Sequence, residues 1–240
     1  MAARAGLTRD PAQRSLEKVQ SDFDEIARLA GPGESGHDRY DAYLLSLIPS
    51  GASRVLDAGC GMGRLTWALD RADRDVVGVD LSPVMIERAR GAGRSPRVSF
   101  LQGDCLSMDL GDGFDCVVSA AALHHLDQDA AVARLAGLVR PGGRLIIQDL
   151  RRDAGMFDLL RSSIALAHAL CLRLVQTGWP VSSWRVRRAW ARHGKGERYL
   201  SLAEARTLAA RHLPGSTVTN HCLWRYTIVW DKPRSRREAS

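Results

Sequence analysis

The stretch RVLDAGCGMGRLT, residues 54–66, carries three glycines within five positions, directly after a short apolar run. Glycine weakens strands and helix starts alike, so three together mark a backbone that turns tightly or meets something closely. A turn of that kind between a strand and a helix offers backbone N–H groups and the helix N-terminus to a ligand. The spacing is Gly59-x-Gly61-x-Gly63, and Arg64 stands where a dinucleotide fingerprint would have its third glycine. A pyrophosphate is therefore not the expected ligand. Two carboxylates sharpen the expectation. Asp80 closes the next apolar run, 21 residues after Gly59, where a carboxylate can accept both hydroxyls of a ribose. Asp104 closes the run after that, where a carboxylate can accept from an exocyclic amine such as adenine N6. Tight turn, diol acceptor and amine acceptor in succession describe a pocket for an adenosine without a pyrophosphate.

A fourth apolar run, FDCVVSAA, leads into Ala122-Leu123-His124-His125. Histidine titrates near neutral pH, so either His124 or His125 can take a proton from a hydroxyl or a protonated amine. The alternative is that the pair only caps its loop and orients a wall. No metal-ligand spacing is visible, and a metal site is not expected. The five cysteines, Cys60, Cys105, Cys116, Cys171 and Cys222, form no CxxC pair. Most lie in apolar runs and read as reduced, buried thiols of a cytoplasmic protein.

The elements that must hold these residues alternate in type. The segment DRYDAYLLSLI, residues 38–48, places Tyr40, Leu44 and Leu47 on one helical face, ended by Pro49. RVLDA reads as a strand and is followed by a helix through Leu65, Ala68 and Leu69. DVVGVD is a second strand, and SPVMIERAR is a helix with Ser82 as N-cap and Pro83 at its first position. RVSFLQGD and FDCVVSAA are further strands, DAAVARLAGLV is a helix stopped by Pro141-Gly142, and GRLIIQDL is a fifth strand. Such alternation predicts an α/β fold with a parallel sheet and helices on both faces. Ser201 and Glu204 then form a capping box for a helix ending at Leu213, and STVTNHCLWRYTIVW offers an antiparallel hairpin.

With these motifs in order, the chain resembles the class I S-adenosylmethionine-dependent methyltransferases of the small, single-domain type. VLDAGCGMG resembles that family's first motif, FDCVVSAAALHHL its fourth-strand motif, and LVRPGGRLIIQD the helix–strand unit after it. The resemblance implies a Rossmann-like, seven-stranded, mostly parallel sheet with the last strand antiparallel, a helical insertion after the fifth strand, and S-adenosyl-L-methionine as cofactor. It implies that Asp57, Gly59, Cys60 and Gly61 line the methionine end and that Gly63 lets the next helix pack on the sheet. Asp80 would hold the ribose, Leu81 would lie on the adenine face, and Asp104 and Cys105 would border the adenine edge. Ser119 and Ala120 would face the methionine moiety through backbone groups. Tyr40 reads either as a cofactor contact or as a core aromatic, and His37 likewise. The expected organisation is a helical lead-in or cap over residues 1–50 and a cofactor-binding core over 51–150. A helical substrate lid over 151–200, a C-terminal helix and hairpin over 201–233, and a disordered basic tail over 234–240 follow.

Composition narrows the acceptor. No apolar run reaches the about 20 residues that span a bilayer, and the first thirty residues lack the apolar core of a secretory signal. The net charge is +7, and ten Lys and Arg against three Asp and Glu fall between Arg151 and Arg198. That basic segment also holds Trp179, Trp184 and Trp190 among Arg185, Arg187, Arg188 and Arg192. Interleaved Trp and Arg suit an aromatic or acidic small molecule, a peptide, or RNA bases. SAAA stands where base-directed amino methyltransferases carry Asn/Asp-Pro-Pro-Tyr/Phe. A small-molecule metabolite or small peptide, methylated in secondary metabolism, is therefore the expected acceptor. Transfer to tRNA, rRNA or protein is the alternative, and a cofactor-binding fold without transfer activity a third.

Overall fold

The computed structural model of the chain describes residues 11–30, 40–111, 113–152, 156–177, 183–194 and 197–234. His37, Trp179, the GPGESG loop and residues 235–240 of the basic tail lie outside the described residues. In chain order the elements are α1 (Pro11–Leu29), α2 (Asp41–Leu47), β1 (Arg54–Ala58), α3 (Arg64–Ala68), β2 (Asp75–Asp80), α4 (Pro83–Gly91), β3 (Val98–Gln102) and β4 (Phe114–Ala120). A single 3-10 turn (Leu123–His125) precedes α5 (Gln128–Leu138) and β5 (Val139–Leu150). Then come α6 (Met156–Thr177), α7 (Trp184–His193), α8 (Leu202–His212), β6 (Thr217–His221) and β7 (Arg225–Asp231).

The seven strands form one sheet in the order β3-β2-β1-β4-β5-β7-β6. The first five pair in parallel, and β7 runs antiparallel to both β5 and β6. Strand order reverses at β1, which pairs with β2 on one side and β4 on the other. The crevice beyond the C-terminal ends of these strands is where ligands bind in open α/β sheets. The central strands are apolar on both faces because both are covered. Leu56, Val117 and Ile147 point to the layer holding Leu135 of α5 and Leu208 of α8. Their neighbours Val55, Val118 and Ile146 point to the layer holding Leu44 of α2 and Leu65 of α3. Period-two alternation thus feeds two cores from the same strands.

Local signals fix the helix starts. The Ser82 hydroxyl accepts from Met85 N at 3.1 Å, and Asp127 Oδ1 accepts from Ala130 N at 2.9 Å. At α8 the capping box is complete: Ser201 N donates to Glu204 Oε2 at 2.7 Å, and Glu204 N donates to Ser201 Oγ at 3.2 Å.

Three expectations need correction. Pro141-Gly142 does not end α5. The helix stops at Leu138 because Val139 is already extended and pairs with Phe114, and Gly142, at φ +75°, bends the start of β5. Second, Cys171 and Cys222 are exposed and Cys105 is half-buried, so only Cys60 and Cys116 are buried thiols. Third, the helix expected over 38–48 is shorter, with Tyr40 as the N-cap of α2. Within the helical lead-in, α1 is a continuous helix that buries Ile26 and Ala27 against Met85 of α4 and Ala189 of α7.

Candidate active site

The glycine turn between β1 and α3 is pinned to β2: Gly59 N and Cys60 N both donate to Val79 O, at 2.8 and 2.9 Å. Gly59, Gly61 and Gly63 have φ of +79°, +53° and +77°, a region open to glycine and strained for other residues. Each glycine answers a different neighbour. A Cβ on Gly59 would sit 2.5 Å from the Ala122 Cβ, and one on Gly63 2.8 Å from Ala89 and the Phe100 ring. A Cβ on Gly61 would meet nothing within 4 Å, because it faces the open cleft. Sheet, loop and helix thus crowd the first and third glycines, and the middle one is left facing ligand space.

Asp80 stands beside the turn. Its Oδ2 accepts from Gly61 N and its Oδ1 from Ser82 N, both at 2.9 Å. Burial raises its carboxyl above the ordinary range against the pull of these two donors. Asp57, at 1% exposure, accepts from the Thr66 hydroxyl at 2.7 Å. Burial pushes its carboxyl up to about 7, and the charge of Asp80 adds to the rise. Asp104 closes its loop by accepting from Leu106 N at 3.0 Å and from the Ser107 hydroxyl at 2.9 Å. Burial pushes the neighbouring Cys105 thiol up to about 11.

Around these groups the cleft has two lobes. One, of about 520 Å³, is lined by Asp80, Leu81, Asp104 and Cys105 below and by Leu16, Val19 and Phe23 of α1 above. The other, of about 830 Å³, is lined by Asp57, Cys60, Gly61, Arg64, Ala120 and Trp190. Gly59, Asp80, Ala122, Phe23 and His125 border both lobes, which makes them one site. Asp57, Gly59, Cys60, Gly61, Asp80, Leu81, Asp104, Cys105, Ala120 and His125 thus meet at the crevice. Ser119, expected to act through its backbone, keeps its side chain buried in the sheet next to Ala120, at 2% exposure. Tyr40 and His124 lie apart from the crevice. Tyr40 donates to Cys222 O at 2.6 Å and packs on His221, which places it on the β6–β7 turn. His124 points away from the cleft, with Nδ1 2.6 Å from Asp149 Oδ1 and its ring against Tyr199.

His125 is the histidine of the pair that reaches the cleft. Its ring packs against His124, tilted by 50° with centroids 3.8 Å apart, and meets Phe23 edge-on at 5.0 Å. Its Nδ1 faces Glu197 Oε2 at 3.0 Å, and Glu197 Oε1 lies 3.7 Å from His193 Nε2. His193 Nδ1 is 3.1 Å from Asp22 Oδ2 on α1. Burial, then the neighbouring His124 and His193, push the His125 imidazole down to about 2, so it is uncharged at neutral pH. The sequence reading missed this cluster because its members come from three distant segments, residues 22–23, 124–125 and 193–197, although His193 and Glu197 are four apart. It expected a helical cap at the start of the chain without saying which face it turns to the cleft. Leu16, Val19, Phe23 and Ile26 recur at helical spacing, a legible stripe, but a stripe does not say what it covers.

The roof is fastened from both sides. Ser82 donates to Asp24, Arg88 Nη1 donates to Ala30 O at 2.6 Å, and Arg192 Nη2 donates to Glu25 Oε2 at 2.6 Å. The amphipathic α7 presents Val186, Ala189 and His193 inward, while Arg185, Arg187 and Arg188 stay exposed. Trp190 reaches the cleft and Trp184, 63% exposed, does not. The described residues of α6 line neither lobe. No helix among the described residues is long and apolar enough to cross a membrane.

Known proteins resemble this chain in sequence and in fold. Residues 55–143 match the family model described as a methyltransferase domain. An uncharacterized methyltransferase of Mycobacterium bovis is 31% identical over 205 residues, covering 81% of this chain and 94% of its own. A ubiquinone biosynthesis O-methyltransferase of Xanthomonas axonopodis pv. citri is 32% identical over 158 residues, covering 58% and 65%. The fold matches that of magnesium protoporphyrin IX methyltransferase from Synechocystis, crystallised with bound S-adenosylmethionine. That match has a TM-score of 0.58 and 19% identity, over 96% of this chain and 100% of the other. A seven-stranded sheet reversing at β1, a glycine turn facing open space and a carboxylate at the end of β2 are what such a cofactor needs, and this chain belongs to the class I S-adenosylmethionine-dependent methyltransferases.

Proposed function

We propose that the enzyme methylates a small-molecule acceptor, a metabolite or a short peptide, bound between the cofactor and the Phe23–His125–Trp190 wall. The observation that carries this reading is the roof. The lobe that holds Asp57 and Gly61 is walled on one side by Phe23 of α1 and Trp190 of α7, helices that pack on each other through Ile26, Ala27 and Ala189, and concave sites with aromatic walls of this kind suit small ligands. In this reading Asp80 accepts both ribose hydroxyls, Leu81 lies on the adenine, and Asp104 and Cys105 border its amine edge. Asp57, Gly59, Cys60 and Gly61 surround the methionine moiety with the backbone of Ala120, and Arg64 faces the same lobe.

The sulfonium methyl is already electrophilic. What the protein adds is alignment, with the acceptor atom held at about 3–3.5 Å on the far side of the methyl. The C–S bond breaks as the new bond to the acceptor forms, sulfur keeps the electron pair, and the acceptor's proton must leave. His125 is the imidazole shared by both lobes on that wall, with Glu197 behind it; held uncharged by burial, it orients the acceptor and does not store the proton. His124 acts on it indirectly, through its tilted ring contact and the Asp149 anchor.

The exposed Arg185, Arg187 and Arg188 support a second reading, transfer to RNA. Incubation with labelled cofactor and fractionated host extract, with and without ribonuclease and protease, separates the two. Label in the small-molecule fraction that survives ribonuclease is expected, with sensitivity of that fraction to protease marking a short peptide and resistance a metabolite. Label lost to ribonuclease, together with tRNA binding that falls steeply with salt, would overturn the small-molecule reading.

A further inference from the structure

We infer that His125, His193 and Glu197 bind a divalent transition-metal ion, of the Zn²⁺ or Fe²⁺ kind, on the acceptor wall of the cleft. The inference deepens the small-molecule reading and rests on it for what the ion would touch. No two of the three donor atoms lie more than 4.8 Å apart. Two of the separations are 3.0 Å, from His125 Nδ1 to Glu197 Oε2, and 3.7 Å, from His193 Nε2 to Glu197 Oε1. Donors that share a tetrahedral ion with bonds of 2.0–2.2 Å stand about 3.3–3.6 Å apart, so small side-chain rotations suffice.

A second observation points the same way. His125 Nδ1 and His193 Nε2 are both buried and neither makes a hydrogen bond. The side chains are 6% and 2% exposed, and that of Glu197 is 10% exposed. Buried polar atoms are nearly always partnered, and an exception needs a cause. Here the two orphaned nitrogens are the two that converge on one carboxylate. The ring's other nitrogen is already held on His193, whose Nδ1 meets Asp22 at 3.1 Å. A carboxylate behind a ligating imidazole fixes its orientation and tautomer.

Two imidazoles and one carboxylate select first-row transition ions over Mg²⁺ or Ca²⁺, which prefer oxygen. Three protein ligands leave coordination positions open, and His125 borders both lobes of the cleft. The class of ligand that fits an open position there is an oxygen donor, a hydroxyl or enol on the acceptor.

The test is titration of the chelator-stripped full chain with Co²⁺, followed by its visible ligand-field bands, and with Zn²⁺ by calorimetry. One equivalent is expected, with intense four- or five-coordinate Co²⁺ bands. Glu197→Gln, a near-isosteric change, and His193→Gln should each weaken Co²⁺ at least tenfold. Asp22→Asn should weaken it by about 10–100-fold. S-adenosylmethionine affinity, measured in the same samples, should stay within threefold and doubles as the check that each variant is folded. Absence of Co²⁺ and Zn²⁺ binding up to millimolar metal would overturn the inference. So would stoichiometric binding that Glu197→Gln and His193→Gln leave unchanged. Metal bound without any label transfer to small molecules would instead count against the acceptor reading and leave the site standing.

Discussion

Replacing the three glycines of the turn one at a time separates ligand space from packing. All three have positive φ, and a side chain there costs about 1–2 kcal/mol from backbone strain alone. At Gly61 that is the whole cost to the fold, since an added Cβ meets nothing within 4 Å. At Gly63 the methyl would lie 2.8 Å from Ala89 and Phe100, and at Gly59 2.5 Å from Ala122. Overpacking of that kind adds about 1–3 kcal/mol. For a chain of this size, 1 kcal/mol moves Tm by about 2–4 °C. Gly61→Ala should therefore lower Tm by about 2–8 °C, and Gly63→Ala and Gly59→Ala by clearly more. Cofactor affinity should follow a different order. The Gly61→Ala methyl enters the cleft, and at least a tenfold loss, about 1.4 kcal/mol, is expected, rising to abolition in Gly61→Val. Gly63→Ala, whose methyl points into the sheet, should keep its affinity at temperatures where it is folded. Differential scanning fluorimetry and calorimetry on the same samples read both orders. Normal binding by Gly61→Val, or a Tm loss in Gly61→Ala as large as in Gly63→Ala, would refute the reasoning.

Asp80→Asn should weaken S-adenosylmethionine by about 1.5–3 kcal/mol per lost charge-assisted hydrogen bond, read by calorimetry, and an affinity within threefold of the parent would count against the ribose assignment. Asp57, with its carboxyl raised to about 7, ties binding to pH. The cofactor is cationic and favours the ionised carboxylate, so the Asp57 value falls in the complex and binding releases a proton. Affinity should rise between about pH 5 and 7 and level off above, with proton release visible as a buffer-dependent enthalpy that Asp57→Asn abolishes. Trp190→Ala should raise the acceptor's KM several-fold, while Trp184→Ala leaves it unchanged, since only Trp190 reaches the cleft. Equal effects of the two on KM would remove α7 from the acceptor wall.

The strands were legible because Val, Ile and Leu runs ended by Gly and Asp repeat along the chain, and a strand's end is also where its chemistry sits. Asp80 and Asp104 could be placed for that reason. Pro141-Gly142 misled, because the same dipeptide serves as helix stop and as strand bend, and the pairing of Val139 with Phe114 decided which. Tyr40 and Ser119 could not be resolved from the sequence. A half-apolar aromatic at the start of a helix and a serine in a buried strand look alike whether they face ligand or protein. The acceptor wall was the least legible part. Phe23, His125, Trp190, His193 and Glu197 converge only after α1 and α7 dock, and docking of helices carries no local sequence mark.

One helix, α1, is at once ceiling over the lobe that holds Leu81 and Asp104 and supplier of Asp22 and Phe23 to the chamber beside it. Its ties to the rest of the protein, at Asp24, Glu25 and Ala30, therefore hold two surfaces with one set of contacts. A substitution that loosens one of them disturbs the ceiling of one chamber and the wall of the next together, because Asp22 on His193 and Phe23 on His125 ride on the same helix.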